Sequence, residues 1–186
     1  MPFTKEFYQK TWINGYMFAQ LIIPALNDLF PISSVIDIGC GSGGFLKWCY
    51  ENMALIIQGI EIDDNAFLCP QVPMEYLQIL DTSIPIQLDR KYDVCVSLEV
   101  AEHIPEGKAD ILIDNLVSVA DKIIIFSAAR PGQAGEGHIN CQPQKYWIEK
   151  FCSKKFYPLI GWSNLLRGNV DIATFYRENC IIFIKK

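Results

Sequence analysis

Residues 35–44 read Val-Ile-Asp-Ile-Gly-Cys-Gly-Ser-Gly-Gly, and nothing else in the chain constrains its fold as tightly. A short apolar strand runs into a glycine turn, and a helical pattern over 44–53 (Gly-Phe-Leu-Lys-Trp-Cys-Tyr-Glu-Asn-Met) follows at once. Glycine lets the backbone turn sharply and lets a ligand approach it closely. The first turn of the helix offers free N–H groups. In open sheets flanked by helices, ligands bind at this carboxyl edge of the strands, near the point where strand order reverses.

The rest of the chain keeps the same rhythm. Apolar runs over 34–39, 55–62, 75–80, 92–98 and 122–128 read as strands, and 106–120 reads as an amphipathic helix with Ile111, Leu112, Leu116 and Val119 on one side. Strands that are almost wholly apolar are buried on both faces, as in a parallel sheet. Alternation with helices points the same way. Residues 4–29 read as helical, with Tyr8, Trp12 and Tyr16 on one face and Pro24 expected to break or kink the segment. A long glycine-rich loop follows residue 128, then a helix over 143–151 and a last strand over 180–186. Loops of that length in compact domains are usually functional or mobile.

At 186 residues the chain suggests one domain, spanning 1–186: an N-terminal helical cap (1–30), a ligand-binding core (33–128) and a substrate-side loop, helix and closing strands (129–186). No apolar run reaches the ~18 residues of a membrane span. No signal peptide is apparent, so a cytoplasmic protein that does not enter membranes is expected. Seven cysteines, at 40, 49, 69, 95, 141, 152 and 180, form no Cys-x-x-Cys pair, which argues against a zinc knuckle or a disulfide framework. The net charge of −5 is uneven, with 8 Lys/Arg against 18 Asp/Glu over 1–144 and 8 against 3 over 145–186. The basic C-terminal part is either a solvated surface or a rim for an anionic substrate.

Gly39, Gly41 and Gly44 match G-x-G-x-x-G, and Glu61 lies 22 residues after Gly39, which alone would fit a nicotinamide dinucleotide. Three features oppose it. Asp37 sits inside the strand, where a buried carboxylate is costly without a partner; a cationic ligand group or a water could be one, a pyrophosphate could not. Thirty-three residues precede the strand. The fourth strand ends in Ser-Leu-Glu-Val-Ala-Glu-His (97–103), which hydride transfer does not need.

Taken together, the motifs resemble the class I S-adenosylmethionine-dependent methyltransferases. Val-Ile-Asp-Ile-Gly-Cys-Gly-Ser-Gly is similar to that family's first motif, Gly-Ile-Glu-Ile-Asp (59–63) to the second, Leu-Asp-Thr-Ser-Ile-Pro (80–85) to the third and Tyr-Asp-Val-Cys-Val-Ser-Leu-Glu-Val-Ala-Glu-His-Ile (92–104) to the fourth. The resemblance spans roughly residues 33–150. It implies a Rossmann-like, doubly wound α/β fold: seven strands, the last antiparallel, with helices on both faces. It implies S-adenosylmethionine as cofactor. Asp37 would meet the methionine end, with the Gly39, Gly41 and Gly43 backbone and Cys40 beneath it. Glu61 would accept the ribose hydroxyls, as a carboxylate suits, beside Ile62. Asp81 and Thr82 would face the adenine, and Leu98 would lie alongside.

Methyl transfer from a sulfonium is an in-line displacement in which positioning supplies much of the rate. A hydroxyl nucleophile must also lose a proton, to a general base or under the influence of a metal. His103 and His138 are the only histidines, and strand ends four and five are expected to bring both to one cleft. Glu-Val-Ala-Glu-His (99–103) is similar to the Glu-Val-x-Glu-His of the ubiquinone-biosynthesis O-methyltransferases and of the small-RNA 3′-end 2′-O-methyltransferases. By that resemblance Glu99, Glu102, His103 and His138 would hold a divalent ion, Mg²⁺ or Mn²⁺; two carboxylates and two imidazoles suit such an N/O site. The alternative has no metal: His103 as base, with Glu102 and His138 as catalytic partners, or Glu102 capping the next helix and His138 fixing the loop. Arg130 is a candidate anion partner. Tyr146 and Trp147 are candidate pocket walls, or simply the buried face of their helix.

The expected activity is methylation of a hydroxyl on a small molecule or glycan-type metabolite by a monomer or homodimer. Overall acidity counts against a duplex nucleic-acid partner. The rivals are an RNA 2′-O-methyltransferase reading only a terminal nucleotide, and a non-catalytic cofactor-binding protein.

Overall fold

The computed structural model describes residues 3–162, 166 and 168–186. Helix α1 (Lys5–Asn27) leads into β1 (Ser34–Ile38), α2 (Gly44–Met53), β2 (Ile56–Glu61), β3 (Leu77–Ile79), β4 (Tyr92–Leu98), α3 (Ala109–Val119), β5 (Ala120–Ser127), α4 (Gln144–Ser153), β6 (Phe156–Pro158), α5 (Thr174–Asn179) and β7 (Ile181–Lys185). Short 3₁₀ turns cover Asp64–Leu68, Met74–Tyr76, Ala101–His103 and Glu106–Lys108.

The strands form one seven-stranded sheet in the order β3-β2-β1-β4-β5-β7-β6. The β1–β5 pairings are parallel, while β7 runs antiparallel to both β5 and β6. This is the Rossmann-like arrangement expected. Strand order reverses between β1 and β4, so the ends of these two strands open the crevice where such folds bind ligands.

The two faces are legible residue by residue. Val35, Val94, Val96, Ile123 and Ile125 point to one side, where Phe18, Ile22, Ile23 and Leu26 of α1 and Phe45, Leu46 and Trp48 of α2 cover them. Ile36, Cys95, Ile124 and Phe126 alternate to the other side, under Leu112, Ile113 and Leu116 of α3 and Trp147 and Phe151 of α4. The period of two within each strand is what lets one run of apolar residues serve two helix layers. At the opposite edge of the sheet from the crevice, Asp93 fastens β4 to β1. Its Oδ2 accepts from the Ser33 N–H (2.8 Å) and hydroxyl (2.6 Å), and its Oδ1 pairs with Lys122 at 2.7 Å. Burial opposes the charge, but Lys122 and these donors outweigh it and hold the carboxyl well below its usual range.

Three local expectations need correction. Pro24 does not break α1, which continues to Asn27. The ring removes one hydrogen bond, yet Ile22, Ile23 and Leu26 are fully buried around it, and their packing keeps the turn helical. The third strand shrinks to Leu77–Ile79, because Met74–Tyr76 coil into a 3₁₀ turn. The helix expected from 106 begins at Ala109, after another such turn.

Candidate active site

The ends of β1, β2 and β4, the glycine-rich loop after β5 and the N-terminal half of α1 line one cavity of about 700 Å³. Asp37, Gly39, Cys40, Gly41, Glu61, Ile62, Asp81, Thr82 and Leu98 line it. Gly43 is not in its wall: a side chain there would meet Val72 at 3.3 Å and Leu77 at 3.8 Å, so Gly43 turns toward the protein.

The glycine turn is built from both of its neighbours. Gly39 and Cys40 N–H groups donate to the Ile60 carbonyl at the end of β2 (2.8 and 3.0 Å). Gly39 has φ +80°, and a Cβ on it would lie 2.3 Å from Val100, so glycine is required there twice over. Glu61 ties the turn to β2. Its Oε2 accepts from Gly41 N–H (2.8 Å), and its Oε1 from Ile62 (2.8 Å) and Asp63 (3.2 Å). Burial still outweighs those donors and raises its pKa. Asp37 is only 4% exposed. Burial first, then the Glu61 charge, push its carboxyl up to about 8, with no cation among the described residues opposing them. A buried carboxylate facing a cavity in this condition is waiting for a positive group. Asp81 is different: the Ser83 side chain and N–H and the Lys108 charge hold it below its usual range.

Helix α1 closes one side. The Tyr8 hydroxyl donates to Asp63 Oδ2 (3.1 Å), and the Phe3 N–H donates to the same oxygen (2.8 Å). Phe3 stacks on Phe7 (4.3 Å) and meets the His103 ring edge-on at 5.6 Å. The helix and the residue Phe3 just before it therefore span the cavity, from the glycine turn to His103. The sequence offered Tyr8 and Trp12 only as an apolar face.

At the far end lie the residues of 99–103. Glu99 has φ +54°, uncommon for a residue with a side chain, and its N–H is held by the Ser127 carbonyl and hydroxyl (3.0 and 3.1 Å). Its carboxylate accepts from Asn179 Nδ2 (3.2 and 3.3 Å) and Gln133 Nε2 (3.3 Å). Glu102 is fully buried behind the wall; its Oε1 accepts from the Ala129 N–H (3.1 Å) and its Oε2 has no partner among the described residues. Burial and then the Glu99 charge raise its pKa. His103 and His138 pack with ring centres 5.1 Å apart, and both line the cavity. His103 Nδ1 faces the Gly137 carbonyl and His138 Nδ1 faces the Gln133 carbonyl, each at 3.2 Å. A carbonyl calls for the proton on Nδ1, which leaves each Nε2 with a free lone pair. Burial, then the neighbouring His138, lower the His103 pKa against the Gly137 hydrogen bond. A Cβ on Gly135 would lie 2.1 Å from the His138 ring, so a larger residue there would displace that imidazole.

Glu102, His103 and His138 each bring a ligand atom within 4.8 Å of the others. The unpartnered buried oxygen of Glu102 and two imidazoles oriented by carbonyls fit a divalent ion. Glu99 lies outside that trio, engaged by Asn179 and Gln133.

Among the described residues no Lys or Arg lines the cavity. Arg130 pairs with Glu178 instead of facing it. Trp147 is buried against Phe126, and Tyr146 sits beneath Lys150, so neither reaches the site. The residues that sequence alone did not point to are Tyr8, Asp63, Gln133 and, from α5, Phe175, Tyr176 and Asn179.

Comparison with known proteins gives a consistent picture. The profile of the family described as "Methionine biosynthesis protein MetW" matches residues 22–156. The chain is 32% identical over 105 residues to the chloroplastic magnesium protoporphyrin IX methyltransferase of Arabidopsis thaliana, a match covering 52% of this chain and 32% of that protein. It is 29% identical over 153 residues to the ubiquinone biosynthesis O-methyltransferase of Pseudomonas fluorescens strain SBW25, covering 78% of this chain and 59% of the relative. The chain thus spans about a third of the first relative and less than two thirds of the second. The crystal structure of magnesium protoporphyrin IX methyltransferase from Synechocystis PCC 6803 with bound S-adenosylmethionine superposes with a TM-score of 0.65 at 19% identity, covering 94% of this chain and 81% of that one.

Proposed function

The chain belongs to the family of the methionine biosynthesis protein MetW, among the class I S-adenosylmethionine-dependent methyltransferases, and from that premise we propose that it transfers a methyl group from S-adenosylmethionine to a hydroxyl of a compact, uncharged or cationic acceptor. One observation carries the reading: the glycine turn with its buried Asp37, unpaired among the described residues, opens into the same cavity as His103 and His138, with Glu102 buried behind the two imidazoles. When bound, the cofactor supplies an electrophilic methyl on a sulfonium. The chain's own residues do the rest. Asp37 meets the positive charge of the methionine end. The Gly39 and Gly41 backbone, with Cys40 and Leu98, forms the bed, and Glu61, beside Ile62, accepts from the ribose. Asp81 and Thr82 stand at the adenine side. Helix α1 excludes water from above.

On the acceptor side His103 is held neutral, with Nε2 free to take the hydroxyl proton. Glu102, His103 and His138 are also the residues that would hold a divalent ion, Mg²⁺ or Mn²⁺, which would lower the pKa of a coordinated hydroxyl. Glu99 stays a neighbour that tunes this trio by charge. The absence of Lys or Arg in the described cavity wall favours a small metabolite over a phosphate-bearing terminal nucleotide.

The test has two parts. Methyl-tritiated S-adenosylmethionine with a panel of hydroxyl metabolites is expected to give labelled product, and His103→Ala to lower kcat by roughly 10²- to 10⁴-fold. Failure to label any fraction while the cofactor still binds would leave the chain a cofactor-binding protein. Calorimetric titration of Mg²⁺, then Mn²⁺, into protein saturated with S-adenosylhomocysteine separates the two roles of the trio. Stoichiometric binding lost in His138→Ala assigns a metal site; no heat from either ion assigns His103 as a simple base.

A further inference from the structure

Helix α5 is short and was not foreseen, yet it is fastened at several points. Asn179 Nδ2 donates to both oxygens of Glu99 and to Gln133 Oε1 (2.9 Å), Glu178 pairs with Arg130, and Gln144 donates to the Glu178 and Asn179 carbonyls (3.2 and 3.1 Å). Tyr176 precedes Asn179 by one helical turn, so both residues project to the same side of the helix. Tyr176 lines that cavity together with Asp37, Leu98 and Glu99. Its ring is seated 5.1 Å from the Phe18 ring and packs on the core beneath. The backbone carbonyl accepts from the Cys180 N–H (3.1 Å), and among the described residues the hydroxyl of this cavity-lining side chain has no hydrogen-bond partner. Tyr176 thus shares one cavity wall with Asp37 at the cofactor end and with Glu99 at the acceptor end.

We propose that the Tyr176 hydroxyl oxygen faces the transferable methyl group of the bound sulfonium and holds it toward the acceptor. The assignment rests on the methyltransferase reading of the site and adds to it a residue outside every motif. Burial and the charges of Asp37, Glu99 and Glu102 keep the phenol protonated, so it presents a neutral oxygen with lone pairs. The hydrogens of a methyl on a cationic sulfur are polarised, and such C–H groups are attracted to an oxygen. A neutral phenol suits this place better than a carboxylate would, because it draws in the methyl without acting as a competing nucleophile.

The consequence is a preference that needs no knowledge of the acceptor. S-adenosylmethionine and S-adenosylhomocysteine differ only in the methyl and the charge it places on sulfur. Tyr176→Phe removes one oxygen and keeps the ring on Phe18. Titrating each ligand into the wild-type chain and the variant is expected to show S-adenosylmethionine weakened about two- to fivefold and S-adenosylhomocysteine unchanged. A purely structural role would weaken both equally, and an idle hydroxyl would change neither; either result overturns the assignment. Should neither ligand bind the wild-type chain, the methyltransferase reading itself fails, an outcome distinct from a lost preference between two ligands that both bind.

Discussion

Asp37 is the residue whose chemistry is most exposed to test. Its carboxyl titrates near 8 in the folded chain, against about 3.9 in an unfolded one. Between those values the folded state keeps a proton that the unfolded state gives up, so this group makes the ligand-free protein lose stability as pH rises from about 4 to 8. A cationic ligand reverses the preference and favours the carboxylate. Binding of S-adenosylmethionine near pH 7 is therefore expected to release close to one proton, visible as a binding heat that varies with the ionisation enthalpy of the buffer. Asp37→Asn should abolish that variation and weaken the ligand by roughly 10- to 100-fold, the worth of a charged hydrogen bond. Buffer-independent heats in the wild-type chain would show that Asp37 meets no positive group. At this scale the sequence revealed acids and imidazoles at strand ends, because a carboxylate closing an apolar run is chemically out of place. It could not reveal that Glu99 turns to Asn179, 80 residues away, or that Asp63 receives Tyr8, since those pairings exist only once the elements pack.

Between elements, the glycines carry a second message. Gly44 completes a dinucleotide-like spacing on paper, but its place in the fold is decided by α1. A Cβ there would lie 2.0 Å from the Trp12 carbonyl oxygen, and one on Gly15 would lie 3.0 Å from Phe45 N. The two helices thus meet backbone to backbone where α1 crosses the start of α2, and α1 is held down over the cavity. Gly44→Ala is expected to push them apart at a cost of about 1–3 kcal/mol, seen as a fall in Tm of roughly 2–4 °C per kcal/mol. An unchanged Tm would mean that α1 does not dock as described. The central strands and α2 were legible because continuous apolar runs and a 3.6-residue period leave few alternatives. β6 and α5 were not: three residues, Phe156–Pro158, make a strand only by pairing with β7, and α5 is too short to show a period. The last residues that complete the site therefore came from the part of the chain with the weakest local signal.

The whole molecule places its ligand at the edge where its packed layers meet. The sheet edge supplies Asp37, Glu61 and the acceptor-side trio, α1 supplies the cover, and α5 closes the third side. A ligand bridging all of them binds the folded chain and has no counterpart in the unfolded one, so it must raise stability by mass action. At one hundred times Kd the gain is about 2.7 kcal/mol, which for a chain of this length corresponds to roughly 5–10 °C in Tm. S-adenosylhomocysteine is expected to give such a shift and NADH none. The discrimination follows from charge: a dinucleotide would bring its pyrophosphate against Asp37 and Glu61 with no described Lys or Arg in the wall to neutralise it. S-adenosylhomocysteine brings an ammonium group and two ribose hydroxyls that these carboxylates can accept. A shift with NADH and none with S-adenosylhomocysteine would return the glycine turn to the dinucleotide class. A shift with the homocysteine ligand that disappears in Asp37→Asn would tie the stability of the three layers to the one buried carboxylate they share.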